Sequence, residues 1–495
     1  MLIFSVFSCF RVSVAKNQNP AFILLIYCVL AVFLRFFSFF PSVIDHDEST
    51  YLEIARMLLN GKTLYVDMVD IKPPGIFLIL AGFQSVFSYS LFVIRLLVAI
   101  WIALTSFILY LSARVLLSDG RAAVASGIIY IFFISTWSFY GISITPEIFF
   151  NIFTISALFV LIKNKKPVRY FWAGLFAGIG FFIKYLVLFD FTAFVLFFLV
   201  LEIRKLKLGG IPVFFRLVFA GIGFLIPFMM ANLWYYLNGH FDAFYNITYL
   251  APSKYPSEFD PWKMLKFLLD FHLRFLPLFI FYYYALFHRG FSNSSLKTTR
   301  NLGILWSLMA LVAVLLAGKT FGHYMIQLML PVSLVAGVFF FNREAPSRLE
   351  RFLHSKIALV AFMVLILGVS AMKIEYILKK DVPREIAAYL EPKLKTEDVI
   401  YTGNYHHIIY YLLKKDSPTK YVHRSLLTAE HHIHALDIDA EREFQQIMAQ
   451  RPVYIIVKKE YPVKTMQDFI RENYKFEKEF DGEVFLFKRK EIENP

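Results

Sequence analysis

The stretch of sequence that decides the fold is residues 89–113, which read YSLFVIRLLVAIWIALTSFILYLSA. It carries a single charged side chain, Arg95. An apolar run of this length is typical of a helix that crosses the hydrocarbon core of a bilayer. Comparable runs recur along the chain. We therefore predict an α-helical polytopic membrane protein with about 11 transmembrane helices, near residues 20–41, 89–113, 121–140, 147–163, 170–184, 186–203, 214–237, 264–287, 302–318, 323–341 and 356–373.

The composition of the chain agrees with a membrane protein. Of its 495 residues 58% are hydrophobic, and the mean hydropathy is +0.58. A net charge of +14 would suggest nucleic acid binding in a soluble protein, but basic residues also gather in the cytoplasmic loops of membrane proteins. We expect the membrane as a partner and no nucleic acid. Two cysteines, Cys9 and Cys28, are too few for a disulfide framework or a cysteine-based zinc site.

The basic residues are divided unequally between alternate loops. One set of loops holds 19 Lys and Arg residues, and the other set, which includes the loop 42–88, holds 7. The richer set is cytoplasmic by the positive-inside rule. We therefore expect a protein of the cytoplasmic (inner) membrane, with loop 42–88 and the tail after residue 373 on the extracytoplasmic side.

The chain divides into three regions by composition. Residues 1–19 are expected to form a cytoplasmic or interfacial lead-in, and residues 20–373 a transmembrane domain whose first outer loop is 42–88. In residues 374–495, the strand-like runs DVIYTG, VYIIV and VFLF alternate with helical ones, which predicts a soluble α/β domain. Its histidines are open to two interpretations, a metal site or a solvated surface. They match no known ligand spacing, so a solvated surface is expected for His406, His407, His423, His431, His432 and His434.

Residues 45–51, DHDESTY, put charged side chains directly beside the first apolar span. The stretch 47–61 is predicted to be a short amphipathic helix on the membrane surface, with Asp47 as its N-cap and Gly61 as its stop. Acidic residues at a helix N-terminus are favoured by the helix dipole without any function. The cluster is thus open to three interpretations: a helix start, a reaction centre or a metal site.

Further charges favour a reaction centre. The loop continues with Asp67, Asp70 and Lys72, followed by two prolines. Ionisable residues at membrane depth are costly and usually line a cavity or a polar pathway. Here they recur where other predicted spans reach the same outer side, as Arg95, Glu147, Lys184, Asp190, Lys319, His323 and Tyr324. The pattern indicates an exterior-facing site that holds both acids and bases.

Such a site suits group transfer from an anionic lipid carrier. A carboxylate such as Asp47 removes a proton from an acceptor hydroxyl, and cations such as Lys72, Arg95 and Lys184 stabilise the charge of a departing phosphate. The chain has neither a GxxxxGK[ST] motif nor a GxGxxG motif after a strand. We therefore expect the energy of transfer to arrive in the substrate.

The chain resembles the polyprenyl-phosphate-sugar glycosyltransferases of the GT-C fold. The resemblance is strongest to the branch of protein O-mannosyltransferases, the lipid A aminoarabinose transferase and rhizobial galacturonosyltransferases. It rests on DHDESTYLEIARMLLNGKTLYVDMVDIKPPG as a first outer loop, on RLLVAIWIAL and GLFAGIGFFIK as spans, on IPFMMANLWYYLNGHFDAFYNITY and FGHYMIQLMLP, and on VIYTGNYHHIIYYLLKKDSPTKYV and RPVYIIV in the tail. These pieces spread over residues 20–460.

The resemblance implies roles for individual residues. Asp47 would act on the acceptor hydroxyl with support from Glu48, and Lys72 would meet the donor phosphate. A lipid-phosphate pocket would include Arg95, Lys184 and His323. From the residue pattern itself we add Lys319 and Tyr324 as further candidates for the donor phosphate, and Asp45, Tyr51, Glu147 and Tyr255 for acceptor or loop support. No cofactor is required in this family, although Asp45 and Asp47 have a spacing that suits Mg²⁺ or Mn²⁺.

The activity that follows is that of an inverting hexosyl- or pentosyltransferase. It would move a sugar from a polyprenyl-phosphate donor to an exported lipid-linked, glycan or protein acceptor. A transporter or flippase for a lipid-linked substrate is the alternative, since an acidic loop also recognises a cationic head group. Such transporters place charges at mid-membrane and often contain inverted repeats, whereas no repeat is visible in this chain.

Overall fold

The structure is a computed structural model of the chain, and it does not describe every residue. The predicted lead-in up to residue 18, most of the predicted span 356–373 and Tyr255 lie outside the described residues. Described are residues 19–135, 141–207, 209–254, 260–287, 294–316, 318–341, 379–459 and 463–490, with a few positions between 360 and 378.

The described residues between 19 and 341 are mostly helical. The α-helices are α1 (Pro20–Arg35), α2 (His46–Leu59), α3 (Gly75–Phe87), α4 (Leu91–Leu117), α5 (Gly120–Ser135), α6 (Pro146–Lys163), α7 (Arg169–Ile183), α8 (Val187–Leu206), α9 (Gly210–Leu237), α10 (Phe241–Tyr245), α11 (Ala251–Lys254), α12 (Pro261–Arg274), α13 (Leu276–Phe287), α14 (Ser294–Leu316) and α15 (Ile326–Gly337).

Six helices among the described residues are long and apolar enough to cross a membrane. They are Pro20–Phe39, Leu91–Leu117, Pro146–Lys163, Gly210–Leu237, Ser294–Leu316 and Gly322–Phe340. Shorter apolar helices occur as well, including α5 and α7. The predicted fold class, a polytopic helical membrane protein, is confirmed, whereas the number of eleven spans stays a prediction.

One predicted span is divided in the structure. Residues 264–287 do not form a single helix, because α12 ends at Arg274, the backbone leaves the helical conformation at Phe275, and α13 begins at Leu276. Helix α12 differs from a membrane span in sequence, since it carries charged side chains along its length, and Asp260 caps its first turn through the amide of Trp262 at 2.9 Å.

The chain forms two compact units. The first unit contains residues 1–39, 95–230 and 257–376, and the second contains residues 40–94, 231–256 and 377–495. The first outer loop therefore belongs to the same unit as the C-terminal tail. Along the chain this loop lies between two predicted spans, which is why the sequence places it in the transmembrane domain.

Glycines allow helices of the first unit to approach closely. A Cβ atom at Gly174 or Gly178 of α7 would collide with the backbone of α9, and one at Gly223 of α9 would collide with the backbone of α7. Small residues at such a contact let helix backbones pack against each other where no hydrophobic force between helices exists. The glycine-rich run GLFAGIGF thus serves packing in this unit.

The tail of the second unit is built around a four-stranded sheet. Its elements are α16 (Val382–Leu390), β1 (Ile400–Thr402), α17 (Ile408–Leu413), α18 (Glu430–Ala435), α19 (Ala440–Ala449), β2 (Tyr454–Lys458), α20 (Lys464–Asn473), β3 (Tyr474–Phe480) and β4 (Val484–Arg489). The strand order is β1-β2-β4-β3, with β1 parallel to β2 and the other pairs antiparallel.

Apolar cores cover both faces of this sheet. One face packs on α16 and α17 through side chains such as Ile386 and Ile456, and the other packs on α19 and α20 through side chains such as Phe444 and Ile455. Strands β1, β2 and β4 follow the predicted apolar runs. Strand β3 escaped prediction because its interior, YKFEKEF, is mostly exposed and charged.

Helix α2 differs from its predicted form. It begins at His46, its N-cap is Asp45 rather than Asp47, and its residues from Glu48 to Met57 are buried in the second unit. Asp45 has the extended backbone of an N-cap, and its Oδ1 atom accepts the amide of Asp47 at 3.4 Å. The expected membrane-surface helix is therefore an internal element of the unit, packed against α3 and α17.

A buried ion pair stabilises α2 inside this unit. Glu53 is fully buried, and it accepts two hydrogen bonds from Arg56, at 3.0 Å from Nε and 2.7 Å from Nη2. The same guanidinium donates to the carbonyl of Lys415 at 2.8 Å and to Asp416 at 2.6 Å. Arg56 therefore joins α2 to the segment that follows α17.

Replacing Arg56 by methionine is expected to lower the free energy of unfolding by about 3–5 kcal/mol, because Glu53 would remain buried without its cation. The double variant Glu53→Gln/Arg56→Met should lose less. Unfolding in detergent measures both. Arg471→Met is the control, since Arg471 forms a solvent-exposed pair with Asp468 at 3.9 Å. Its replacement should leave the free energy of unfolding measurably unchanged. Equal losses in Arg56→Met and Arg471→Met would contradict this account.

Candidate functional site

The carboxylate of Asp47 is the centre of a polar group in the second unit. Its Oδ2 atom accepts a hydrogen bond from the hydroxyl of Tyr51 at 3.1 Å and lies 3.5 Å from Nζ of Lys72. Its Oδ1 atom lies 3.6 Å from Nε2 of His423. The side chain of Asp47 is 30% exposed, so a substrate can reach it.

The chain around Lys72 holds that side chain in place. Its Nζ atom lies 3.4 Å from Oδ1 of Asp70, and the same carboxylate oxygen accepts the backbone amide of Lys72 at 2.9 Å. The ammonium group also lies 5.0 Å from the ring centroid of Tyr51. Tyr65, whose φ of 71° is in the left-handed region, donates its hydroxyl to the carbonyl of Lys72 at 2.7 Å. Lys72 is thus oriented by carboxylates and by an ordered loop.

Asp45 and Glu48 flank Asp47 but are less accessible. Burial, followed by the charges of Asp47 and Glu48, raises the pKa of Asp45 to about 7. Asp45 directs its carboxylate at the amide of Asp47, and Glu48 is 1% exposed. Among the described residues, no three His, Cys, Asp or Glu side chains are arranged to hold a metal ion. The predicted Mg²⁺ or Mn²⁺ dependence stays a prediction.

The histidines of the tail correct the expectation of a solvated surface. His407 is fully buried, and His406, His423 and His432 are partly buried; His431 and His434 are exposed as expected. The burial arises because the tail packs on α2, which no local pattern reveals.

Several of these histidines contact the first turns of α2. The ring of His406 stacks on that of His46 with centroids 4.5 Å apart. Nε2 of His407 lies 2.8 Å from Oγ1 of Thr50, and the ring of His423 lies 5.3 Å from that of His407. The tail therefore places a layer of imidazoles beside Asp47.

Burial keeps these imidazoles neutral at pH 7. It lowers the pKa of His46 to about 4 and that of His406 to about 3, and it lowers the pKa of His407 well below its ordinary value. It also lowers the pKa of His423 to about 3 and that of His432 to about 4. Neutral imidazoles add hydrogen-bonding groups to the site without adding charge.

A second polar group lies in the first unit. Lys184, which follows α7, pairs with Glu147 in the first turn of α6, and Glu147 is fully buried. The ammonium group of Lys184 lies 3.8 Å from the ring centroid of Tyr324. His323 contacts Tyr324 edge to face at 4.9 Å between centroids. Four residues of the predicted phosphate and acceptor set are thus neighbours, and Glu147 already compensates the charge of Lys184.

Arg95, Lys319 and Asp190 have other surroundings in the first unit. Arg95 is buried and donates to the carbonyl of Ser38 at 3.0 Å, while Lys319 is partly exposed. Asp190 accepts hydrogen bonds from Trp306 and Gln327, each at 2.6 Å. This carboxylate ties α8 to α14 and α15, which gives it a structural role. The predicted phosphate-binding roles of Arg95 and Lys319 stay predictions.

Sequence reasoning missed His423 and Ser425 as neighbours of the acidic loop. They lie in the tail, more than three hundred residues after Asp47. The resemblance covered the preceding run NYHHIIYYLLKKDSPTKYV as a whole, and this is the signal that could have drawn attention to the segment. The contact itself depends on how the tail folds.

Comparisons with known proteins agree with this fold. Residues 71–235 match the family model described as dolichyl-phosphate-mannose-protein mannosyltransferase. The crystal structure of ArnT from Cupriavidus metallidurans in the apo state superposes with a TM-score of 0.59 at 14% identity, covering 94% of this chain and 97% of that chain. The first match agrees with the predicted resemblance over about a third of the chain, and the second shows that this chain and ArnT share a fold.

A second structure shows a weaker match. The apo form of the Archaeoglobus fulgidus oligosaccharyltransferase superposes with a TM-score of 0.46 at 13% identity, covering 97% of this chain and 75% of that chain. No curated protein gives a significant match to the sequence.

Lowering the pH from 7 to 5 is expected to destabilise the protein. In the unfolded chain imidazoles titrate near 6.5, whereas His46, His406, His407, His423 and His432 have lowered pKa values when folded. The unfolded chain therefore binds more protons between about pH 4 and 6.5, and the free energy of unfolding falls as the pH falls. Raised carboxyl pKa values oppose this trend, but among the described groups outside the predicted spans they are fewer: Asp45, Glu53 and Asp70.

Unfolding midpoints in detergent across this pH range measure the effect. Each net proton changes the free energy of unfolding by about 1.4 kcal/mol per pH unit. His406→Gln should reduce the slope, because it removes one buried imidazole. His434→Gln should not, because His434 is exposed. A stability that rises on acidification from pH 7 to 5 would be the opposite of this expectation.

Proposed function

We propose that this protein, which has the fold of the GT-C membrane glycosyltransferases, moves one sugar from a polyprenyl-phosphate donor to a hydroxyl group of an exported acceptor. The observation that carries the proposal is the arrangement at Asp47. A partly exposed carboxylate lies within 3.5 Å of the ammonium group of Lys72 and accepts a hydrogen bond from Tyr51. A carboxylate can take a proton from a hydroxyl, and an ammonium group can stabilise a departing phosphate.

The transfer would proceed by a single displacement. The acceptor oxygen gives its proton to the carboxylate of Asp47 and forms a bond to the anomeric carbon. The bond between that carbon and the phosphate oxygen breaks, and its electron pair leaves with the polyprenyl phosphate. One base is enough for this route, and the product has the inverted anomeric configuration. Partners that hold Asp47 in one orientation favour its use as a base.

Lys72 would stabilise the phosphate that leaves. Its side chain is 21% exposed and lies between the carboxylates of Asp47 and Asp70. An anionic donor adds a third negative group, whose attraction for the ammonium increases as the phosphate gains charge in the transition state. Asp70 would keep Lys72 in position before the donor arrives. Glu48, which is buried beside Asp47, would support the base.

The acceptor and the membrane side belong to the proposal as well. The excess of Lys and Arg in alternate loops supports an inner-membrane protein with Asp47 on the extracytoplasmic side. An exported lipid-linked, glycan or protein hydroxyl fits that side. The transferred group would be a hexose or a pentose. Mass spectrometry of surface glycans and lipids from a deletion strain identifies both sugar and acceptor, since one residue mass would be missing.

Replacing Asp47 by asparagine is expected to lower the rate of sugar transfer about 100-fold or more, because the amide cannot take the proton of the acceptor. Membranes that contain the variant, supplied with radiolabelled polyprenyl-phosphate sugar, provide the assay. Lys72→Ala should also lower the rate, through loss of charge stabilisation on the departing phosphate.

The matched control is Asp67→Asn. Asp67 is an exposed carboxylate in the same loop, and it accepts the amide of Thr63 at 2.7 Å, which asparagine can still do. Transfer by this variant should equal that of the unaltered protein. If Asp47→Asn and Lys72→Ala both transfer sugar at the unaltered rate, the assignment of the site is wrong.

A further inference from the structure

The hydrogen bonds of Ser425 determine which nitrogen of His423 carries the proton. The backbone amide of Ser425 donates to Nδ1 of His423 at 3.2 Å, and the Ser425 hydroxyl lies 2.7 Å from the same nitrogen. A backbone amide can only donate, so Nδ1 is an acceptor. A neutral imidazole has one N–H group. The proton of His423 therefore lies on Nε2, the atom 3.6 Å from Oδ1 of Asp47.

A second histidine continues this chain of contacts. Nδ1 of His432 lies 3.3 Å from the carbonyl oxygen of Ser425 and 3.0 Å from its hydroxyl oxygen. A carbonyl oxygen can only accept, so Nδ1 of His432 carries a proton. The Ser425 hydroxyl is then able to donate its own proton to His423. Each residue in this chain thus turns a donor towards the next, in the order His432, Ser425, His423 and Asp47.

His423 offers Asp47 an N–H group rather than a charge. Burial lowers the pKa of His423 to about 3, and among its main neighbours only the charge of Asp47 raises this pKa. Oδ2 of Asp47 contacts Tyr51 and Lys72, and the second carboxylate oxygen, Oδ1, lies near Nε2 of His423. The groups that face Asp47 or His423 from the surrounding segments are Asp45, His46, Glu48, Asp70, Lys72, His407 and His432.

We infer that His423 is a positioning residue for Asp47, and that Ser425 and His432 hold it in the tautomer whose N–H group faces the carboxylate. The inference deepens the proposed function, and it rests on that function where Asp47 is taken as the base. The separation of 3.6 Å is longer than a hydrogen bond, as is common for catalytic contacts before substrate binds. Closure of this contact would keep the carboxylate charged and oriented towards the acceptor hydroxyl.

Two replacements of similar polarity separate positioning from folding. The amide nitrogen of glutamine extends about as far as Nε2 of histidine, whereas that of asparagine extends only about as far as Nδ1. His423→Gln should keep a donor facing Asp47, and His423→Asn should lose it. His434→Gln is the control, since His434 is exposed and lies on α18 beside His432. His423→Gln and His423→Asn remove the same partly buried imidazole, so their folding costs are comparable, and His434→Gln shows the effect of the same exchange at an exposed position.

The first measurement does not depend on activity. Carbodiimides label a carboxyl group in its protonated form, and peptide mass spectrometry locates the label on Asp47. Loss of a donor to the charged carboxylate should move the labelling midpoint of Asp47 to higher pH in His423→Asn. The midpoint should change little in His423→Gln and in His434→Gln. Equal midpoints in His423→Asn and the unaltered protein would overturn the inference.

The second measurement uses the transfer reaction. His423→Asn should lower kcat about tenfold to a hundredfold, as expected for loss of a hydrogen bond to a charged group, with little change in KM for the donor lipid. The acid limb of its pH–rate profile should move to higher pH, and His423→Gln should restore most of the rate. A lower rate with an unchanged pH profile, or equal defects in His423→Asn and His423→Gln, would show a purely structural role and overturn the inference.

The two measurements distinguish failure of the inference from failure of the proposed function. If the unaltered protein transfers no sugar from any polyprenyl-phosphate donor, the proposed function fails. The labelling of Asp47 still decides whether His423 is coupled to that carboxylate. If transfer occurs but labelling of Asp47 is the same in all variants, the proposed function stands and the role of His423 is rejected.

Discussion

The buried pair between Glu53 and Arg56 is the interaction on which the candidate site depends. A carboxylate in a protein interior is tolerated only with a partner, and here the partner also reaches the carbonyl of Lys415 and the side chain of Asp416. Helix α2 is thereby joined to the tail of the second unit. Asp47 lies two turns before Glu53 on the same helix. Its position relative to the tail histidines follows from where that helix is held.

Burial and charge act on the site in different ways. The imidazoles beside α2 are neutral because burial disfavours their charged form, whereas Lys72 lies next to two carboxylates. Under the proposed function, neutral imidazoles would orient Asp47 without adding positive charge, and the ammonium group of Lys72 would lie between this base and Asp70. In the first unit, by contrast, the charges of Glu147 and Lys184 are balanced by a direct ion pair.

Much of the candidate site was visible in the sequence as residues close together along the chain. Asp47, Tyr51, Asp70 and Lys72 lie within one loop, and the structure brings their side chains into contact. The capping residue was misjudged by two positions, because Asp45 and Asp47 are equally good N-caps by residue type. What separates them is backbone conformation, since Asp45 is extended and Asp47 is helical.

The sequence by itself determined the helical membrane fold, because apolar runs of spanning length have few other stable arrangements. It also determined the acidic loop and, through local patterns, three of the four strands of the tail. Only the tertiary structure decided that this loop and the tail form one unit, and that buried histidines lie beside Asp47. The reason is physical. Periodicity and capping act between neighbours in sequence, whereas the contact of His423 with Asp47 arises from packing between segments that are distant along the chain.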